Sequence, residues 1–278
     1  MKLTVVIDNN VPISSKPALL GEHGLSFFLE TEREKYLFDA GQTGAVVHNL
    51  GLMGISPKLL TAVIISHGHY DHTGGLEAVL TQAAKRLTVY AHEDIFVNRY
   101  STSKGTRRFV GVPFREEHLT SLGADFHYIS EPLQLTDTLW VSGAIPRMEE
   151  YETGDRHLVR FSECEDHCQD SVPDDMGIYY VSPKGLIVIS GCAHSGIINM
   201  IRKGMQLTGT NRLHAIIGGT HLGPVGSEQQ EKTLQELQKM NPDLIASGHC
   251  TGFAMMARLQ QTFGEKFVPA LVGTKFEF

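Results

Sequence analysis

Three imidazoles and one carboxylate fall within the stretch Ser66-His67-Gly68-His69-Tyr70-Asp71-His72, which follows the apolar run Leu59-Leu60-Thr61-Ala62-Val63-Ile64-Ile65 and precedes Thr73-Gly74-Gly75. Imidazole nitrogens and carboxylate oxygens are ligands for borderline and hard divalent ions, so metal binding is the first chemistry this stretch suggests. In extended backbone, residues two apart point to the same side, and His67 and His69 can therefore grip one ion. Asp71 and His72 fall one step further along a turning loop, where they can set a second ion beside the first. Two neighbouring ions can hold a hydroxide between them as a nucleophile. The competing reading, a surface loop rich in histidine, fits the position poorly. A polar cluster directly after a β-branched strand is where layered α/β proteins carry their active sites.

The elements around this stretch must hold it in place. With 278 residues and 41% hydrophobic content, the chain can bury a substantial core, and residues 1–278 read as a single domain without a linker. Strand-like runs alternate with helical patterns, as in an α/β sandwich with helices outside two mixed sheets. Strands are expected at Leu3–Asp8, Leu25–Leu29, Tyr36–Asp39, Ala62–Ser66, Leu87–Ala91, Phe126–Ile129, Leu139–Ser142, Ile178–Val181, Leu186–Ser190, Ala215–Ile217 and Leu244–Ala246. Ser227-Glu228-Gln229-Gln230 has the form of a capping box, followed by an apolar stripe of Leu234, Leu237 and Met240 before Pro242. Ile197, Ile201 and Met205 repeat at helical spacing up to Gly209, and Phe253 to Phe263 ends at Gly264. Histidines 194 and 249 thus each lie between a strand and a helix.

His-x-His-x-Asp-His resembles the signature of the metallo-β-lactamase superfamily, and other pieces stand in that superfamily's order. Lys35-Tyr36-Leu37-Phe38-Asp39-Ala40-Gly41 is similar to its strand ending in an Asp-x-Gly turn, a resemblance that gives Asp39 the role of supporting the metal loop from behind. Pro242-Asp243-Leu244-Ile245-Ala246-Ser247-Gly248-His249 resembles the element that supplies the last ligand of the second metal, so His249 inherits that role. Gly21-Glu22-His23-Gly24-Leu25-Ser26, Ser190-Gly191-Cys192-Ala193-His194-Ser195-Gly196, Gly218-Gly219-Thr220-His221-Leu222 and Gly248-His249-Cys250-Thr251-Gly252-Phe253 look like the dihydropterin-ribofuranosylaminobenzene-phosphate-synthase-like branch. The similarity runs from about residue 3 to residue 278. It implies an α/β fold of the metallo-β-lactamase αββα sandwich type, two mixed β-sheets flanked by helices.

The chain departs from the superfamily pattern in one place. Val172-Pro173-Asp174-Asp175-Met176-Gly177 lacks the usual histidine, and the strand Gly185–Ser190 ends in Gly191-Cys192 where a Gly-Asp step is usual. His194 becomes the candidate third ligand of the first metal, and the identity of any bridging ligand stays open. Cys192 reads either as a thiolate ligand or as a small residue packing at a strand end. His221 has the same strand-then-glycine setting and reads as a ligand, as a group that contacts or protonates substrate, or as a structural histidine. His23, among glycines, suits a loop that approaches a ligand.

A net charge of −7 argues against a long nucleic-acid track. Lys104-Gly105-Thr106-Arg107-Arg108, in a stretch read as a loop between residues 98 and 114, and Arg147 after Pro146 are the candidate sites for a substrate phosphate, since arginine meets phosphate bidentately. Glu163-Cys164-Glu165-Asp166-His167-Cys168 reads as an acidic loop, with an accessory metal as the alternative. The four cysteines do not form the framework of a small secreted disulfide domain, and the sequence offers neither a signal peptide nor an apolar run near 20 residues, so a cytoplasmic protein without membrane contact is expected. Oligomeric state is left open.

The resulting expectation is a dinuclear centre, with His67, His69 and His194 on one ion and Asp71, His72 and His249 on the other. Asp71 and His221 are the residues expected to act in catalysis, His221 as a proton donor to the leaving group. Zinc suits the imidazole-rich set, with manganese or iron as alternatives. The activity expected is metal-dependent, phosphodiesterase-like hydrolysis of a small phosphorylated molecule. A pyrophosphate-releasing synthase uses the same ligands, and a diiron oxidoreductase or a metal sensor without turnover are further alternatives.

Overall fold

The computed structural model describes residues 1–162 and 165–278. By their contacts these fall into two compact units, Met1–Ile129 with Leu271–Phe278, and Ser130–Ala270.

The first unit is built on a seven-stranded sheet in the order Lys275–Glu277, Lys2–Ile7, Ser26–Glu30, Lys35–Phe38, Ala62–Ile64, Leu87–Ala91 and Ala124–Tyr128. Pairing is antiparallel up to Lys35–Phe38 and parallel from there on. Parallel neighbours need crossovers, and Ala45–Leu52, Tyr70–Thr73 with Leu76–Ala83, and Glu116–Ser121 are the helices in those crossovers, Tyr70–Thr73 carrying Asp71 and His72. Leu50, Leu60, Val63, Val79 and Val89 make one buried cluster between that sheet and its helices.

The second unit carries its own seven-stranded sheet, in the order Phe267–Pro269, Leu244–Ser247, Leu213–Gly218, Gly185–Ser190, Gly177–Ser182, Leu139–Val141 and Leu133–Gln134. The four strands from Gly185–Ser190 to Phe267–Pro269 are parallel. Two of them, the runs Gly-Leu-Ile-Val-Ile-Ser and Leu-His-Ala-Ile-Ile-Gly, are buried along their whole length, as is usual for inner parallel strands. Helices Ile197–Thr208, Ser227–Met240 and Phe253–Phe263 bring Ile197, Ile201, Leu234, Leu237, Met255 and Leu259 onto this core.

Every strand expected from the sequence occurs, with ends shifted by up to two residues. The helix starting near Ser227 forms through Met240, but Gly226 is its N-cap, and Ser227 is the first helical residue rather than the cap of a capping box. The stretch 98–114, expected as a loop, holds an antiparallel hairpin of Arg99–Ser101 with Arg108–Phe109. Leu158–Ser162 and Glu165–Gln169 likewise pair as strands where an acidic loop was expected. The accessory metal considered for residues 163–168 falls partly on residues outside the described ones. Short two- and three-residue pairings carry too little apolar periodicity to register in a sequence. Among the described residues, no helix is long and apolar enough to cross a membrane.

Candidate metal centre

In the first unit the metal-capable residues leave the C-terminal ends of two adjacent parallel strands, Lys35–Phe38 and Ala62–Ile64, whose last residues are register partners. Asp39 follows the first of them with a left-handed φ of 61°, a conformation that aspartate tolerates better than most side chains. Its carboxylate is fully buried and accepts the Ser66 N–H at 2.7 Å on Oδ1, and the Ser66 hydroxyl and His72 Nδ1, each at 2.7 Å, on Oδ2. Because the Ser66 proton goes to Asp39, the Ser66 oxygen accepts from His67 Nδ1 at 2.8 Å. One carboxylate therefore fixes two tautomers: His67 and His72 both carry their proton on Nδ1 and present a lone pair on Nε2. Such carboxylate-oriented histidines are the usual outer support of metal ligands.

The presented atoms converge. His67 Nε2 lies 3.0 Å from His69 Nδ1, and His72 Nε2 lies 3.8 Å from Asp71 Oδ2. Two nitrogens on one tetrahedral zinc stand about 3.3 Å apart, given Zn–N bonds near 2.0–2.1 Å, so the His67–His69 pair fits one ion with little movement. Gly75 makes the turn possible: a Cβ there would meet the Ala40 carbonyl oxygen at 2.0 Å, so any side chain would push the loop after Asp39 away. His23 reaches this cluster from an exposed loop, its Nδ1 3.6 Å from Asp71 Oδ2 and 3.3 Å from the Tyr70 hydroxyl. Arg108 donates to the same Tyr70 hydroxyl at 2.9 Å and lies over its ring.

In the second unit, three loops leave neighbouring parallel strands at one level, because Ser190, Gly218 and Ser247 are register partners. They carry Cys192 and His194, then His221, then His249 and Cys250. All three loops contain a non-glycine residue in the left-handed region, Ala193 at 57°, His221 at 49° and His249 at 50°. Backbone held in sparsely populated conformations gathers at functional sites. The His194 and His221 rings are 4.0 Å apart between centroids. Cys192, His221 and Cys250 each bring a donor atom within 4.8 Å of the others. Burial disfavours the His221 imidazolium, but Cys250, Asp155 and Asp175 outweigh it and raise its pKa. Burial likewise disfavours the Cys250 thiolate, yet Cys192 and His221 bring that thiol down to about 5.

Two buried carboxylates brace this unit, and nothing in the sequence marked them. Asp175 accepts the Ser195 N–H at 2.8 Å; burial raises it to about 6 against that bond. Glu152 accepts the Ile198 and Asn199 N–H groups at 3.0 and 2.8 Å, capping the helix Ile197–Thr208. Arg147, expected at a substrate phosphate, is turned to the main chain instead. Its Nη1 donates to the Glu152 carbonyl at 2.7 Å and its Nη2 to the Ser171 and His194 carbonyls at 2.9 and 2.8 Å. Carbonyls left over at loop ends take up those donors, and the guanidinium ties the His194 loop to its neighbours.

A family profile described as the metallo-β-lactamase superfamily matches residues 20–249. A 7,8-dihydropterin-6-methyl-4-(β-D-ribofuranosyl)-aminobenzene-5'-phosphate synthase of Methanocaldococcus jannaschii is 31% identical over 266 residues, covering 92% of this chain and 90% of its own. An uncharacterized protein of the same organism is 31% identical over 260 residues, covering 93% of this chain and 94% of its own. Among solved structures, a metal-dependent hydrolase of the β-lactamase superfamily superposes with a TM-score of 0.84 at 23% identity, over 100% of this chain and 99% of that one. A diphosphatase of the PhnP family superposes with a TM-score of 0.58 at 15% identity, over 100% of this chain and 96% of that one.

Proposed function

The chain belongs to the metallo-β-lactamase superfamily and has its fold, and from that premise we propose that it is a metal-dependent hydrolase acting on a small phosphate-containing molecule, in the manner of a phosphodiesterase. The observation that carries this reading is the network by which Asp39, directly and through Ser66, presents Nε2 of both His72 and His67. A histidine cluster kept only for packing has no need of a carboxylate that sets two tautomers. The first-unit ligands in this reading are His67, His69, Asp71 and His72, and in the second unit His194 and His249 are the ligands that the superfamily pattern implies.

Bound divalent ions would supply a water of lowered pKa and would neutralise charge developing on a phosphoryl oxygen. Two ions are proposed, and zinc is the natural occupant of an imidazole-rich set. The protein's own residues do the rest. Asp39 and Ser66 hold the imidazoles so that no reorientation is needed on binding, and Asp71 keeps an oxygen directed between His72 and His23. Arg108, fixed on Tyr70 beside His69 and Asp71, takes the phosphate-facing role that Arg147 does not fill, because a guanidinium held by one Nη retains donors for a second partner.

A second reading has one specific observation in its favour, the 31% identity over 92% of this chain to a synthase whose name contains a ribofuranosyl aminobenzene phosphate. In that reading the same ligands bind pyrophosphate as it leaves a ribose, and the reaction is a condensation. Turnover of a chromogenic phosphodiester by protein reconstituted with zinc, manganese or iron separates the two. Hydrolysis that disappears in His67→Ala supports the hydrolase, whereas a fully metal-loaded protein without hydrolysis moves the assignment to the pyrophosphate-releasing synthase.

A further inference from the structure

Resting on the metal-dependent reading of the chain, we infer that Cys192, His221 and Cys250 form a mixed thiolate–imidazole site for a borderline divalent ion such as zinc. Their donor atoms all lie within 4.8 Å of one another, and two thiolates on one tetrahedral zinc stand about 3.8 Å apart given Zn–S bonds near 2.3 Å. The three loops leave strand ends that are in register, so the donors start from one level of the sheet.

His221 supplies the independent sign of a ligand. The residue is 9% exposed, and both Nδ1 and Nε2 are buried without a hydrogen-bond partner among the described residues. Imidazole nitrogens out of water are stable only with a partner, and a cation among soft donors is the partner this setting suits. Asp155 Oδ2, 3.9 Å from Nε2, lies too far for a hydrogen bond and acts on the ring through its charge alone. This assigns His221 to ligation rather than to proton transfer.

The backbone around the three donors is arranged for their approach. His221 is held at a φ of 49°, and its N–H donates to Cys250 Sγ at 3.3 Å, a bond that steadies a thiolate. Thr220 is tied to Thr251 through its N–H at 3.1 Å and its hydroxyl at 3.0 Å, so the two loops move as one. Gly219 lets them meet, since a Cβ there would come within 2.6 Å of Cys250 Sγ and 2.5 Å of the Gly191 carbonyl oxygen. Plain packing of two small cysteines would need neither the strained histidine nor the unpartnered imidazole. Three protein ligands on a tetrahedral ion leave one position for water or substrate, the pattern of catalytic rather than structural zinc.

Cobalt(II) substitution of the full-length protein tests this, because thiolate ligation gives an intense sulfur-to-cobalt band in the near ultraviolet. We expect that band in the wild type, a clear loss of intensity in Cys192→Ser and in Cys250→Ser, and at least a tenfold loss of cobalt affinity in His221→Ala. Zinc absorption-edge fine structure on the wild type needs no variant to fold, and a sulfur shell near 2.3 Å is expected. A metal-loaded protein with only nitrogen and oxygen neighbours, or a band unchanged in both serine variants, overturns sulfur ligation while the metal-dependent reading stands. A protein that takes up no divalent metal overturns both.

Discussion

The two units present metal-capable side chains by different means. The first draws His67, His69, Asp71 and His72 from one short stretch and aligns two of them, His67 and His72, with a single buried carboxylate, Asp39. The second draws Cys192 and His194, His221, and His249 and Cys250 from three loops, and relies on strand register and strained backbone to bring them to one level. Contiguous ligands need orienting, whereas dispersed ligands need a scaffold. Damage should therefore act in the first unit through side-chain hydrogen bonds and in the second through loop packing.

Among changes that leave every candidate ligand in place, Asp39→Asn gives the largest expected effect. Asparagine keeps the left-handed turn but loses the charge that fixes His72 and, through Ser66, His67. Zinc affinity measured by competition with a chelator should fall about 10–100-fold with little change in the melting temperature. An unchanged affinity would mean the imidazoles orient themselves, and the contrast between the units would lose its first half.

Gly219→Ala probes the other half. The added Cβ meets the Cys250 sulfur and the Gly191 carbonyl, so thermal unfolding should show a loss of about 1–3 kcal/mol. Gly51, with nothing within 4 Å of its Cβ position in the helix Ala45–Leu52, is the control, and Gly51→Ala should be neutral or stabilising by up to about 1 kcal/mol. Equal effects at the two positions would show that the second unit's loops are not closely packed.

Arg147→Ala sharpens the comparison further. Its guanidinium ties the carbonyls of Glu152, Ser171 and His194, so the variant should lose about 1–2 kcal/mol of stability while the KM for a phosphorylated substrate changes less than in Arg108→Ala. A large KM change at constant stability would return Arg147 to the substrate.

A pH dependence is expected at Glu152. Burial, opposed by the Ile198 and Asn199 N–H groups, raises its carboxyl from 4.5 to about 7. The folded protein thus holds a proton that the unfolded chain releases first. The associated stability is fully present below pH 4.5 and is lost as pH rises through 7. Relative to wild type, Glu152→Gln should gain in melting temperature between pH 5 and pH 8, and a constant offset across that range would show the carboxyl to be ionised throughout.

The same contrast explains what the sequence made legible. His67 to His72 could be read directly, because ligands adjacent in the chain are adjacent in space, and strands such as Gly185–Ser190 announce themselves by unbroken apolar runs. His194, His221 and His249 could be singled out by their strand-then-loop setting, but the approach of Cys250 to Cys192 and His221 depends on a parallel register that no local pattern encodes. Arg147 misled for a related reason: arginine type suggests phosphate, while its partners are backbone carbonyls visible only once the loops at Glu152, Ser171 and His194 are in place. Asp175 and Glu152 were silent because a buried carboxylate facing a main-chain N–H has no signature in its neighbours along the chain.

The most direct test of the whole account is calorimetric titration of zinc into metal-stripped wild type and His67→Ala, with bound metal per chain counted in the same samples. The account predicts saturable binding in the wild type and binding weakened by about 100-fold or more in the variant, beyond what loss of an outer partner produces. Equal stoichiometry and affinity in the two proteins would contradict it.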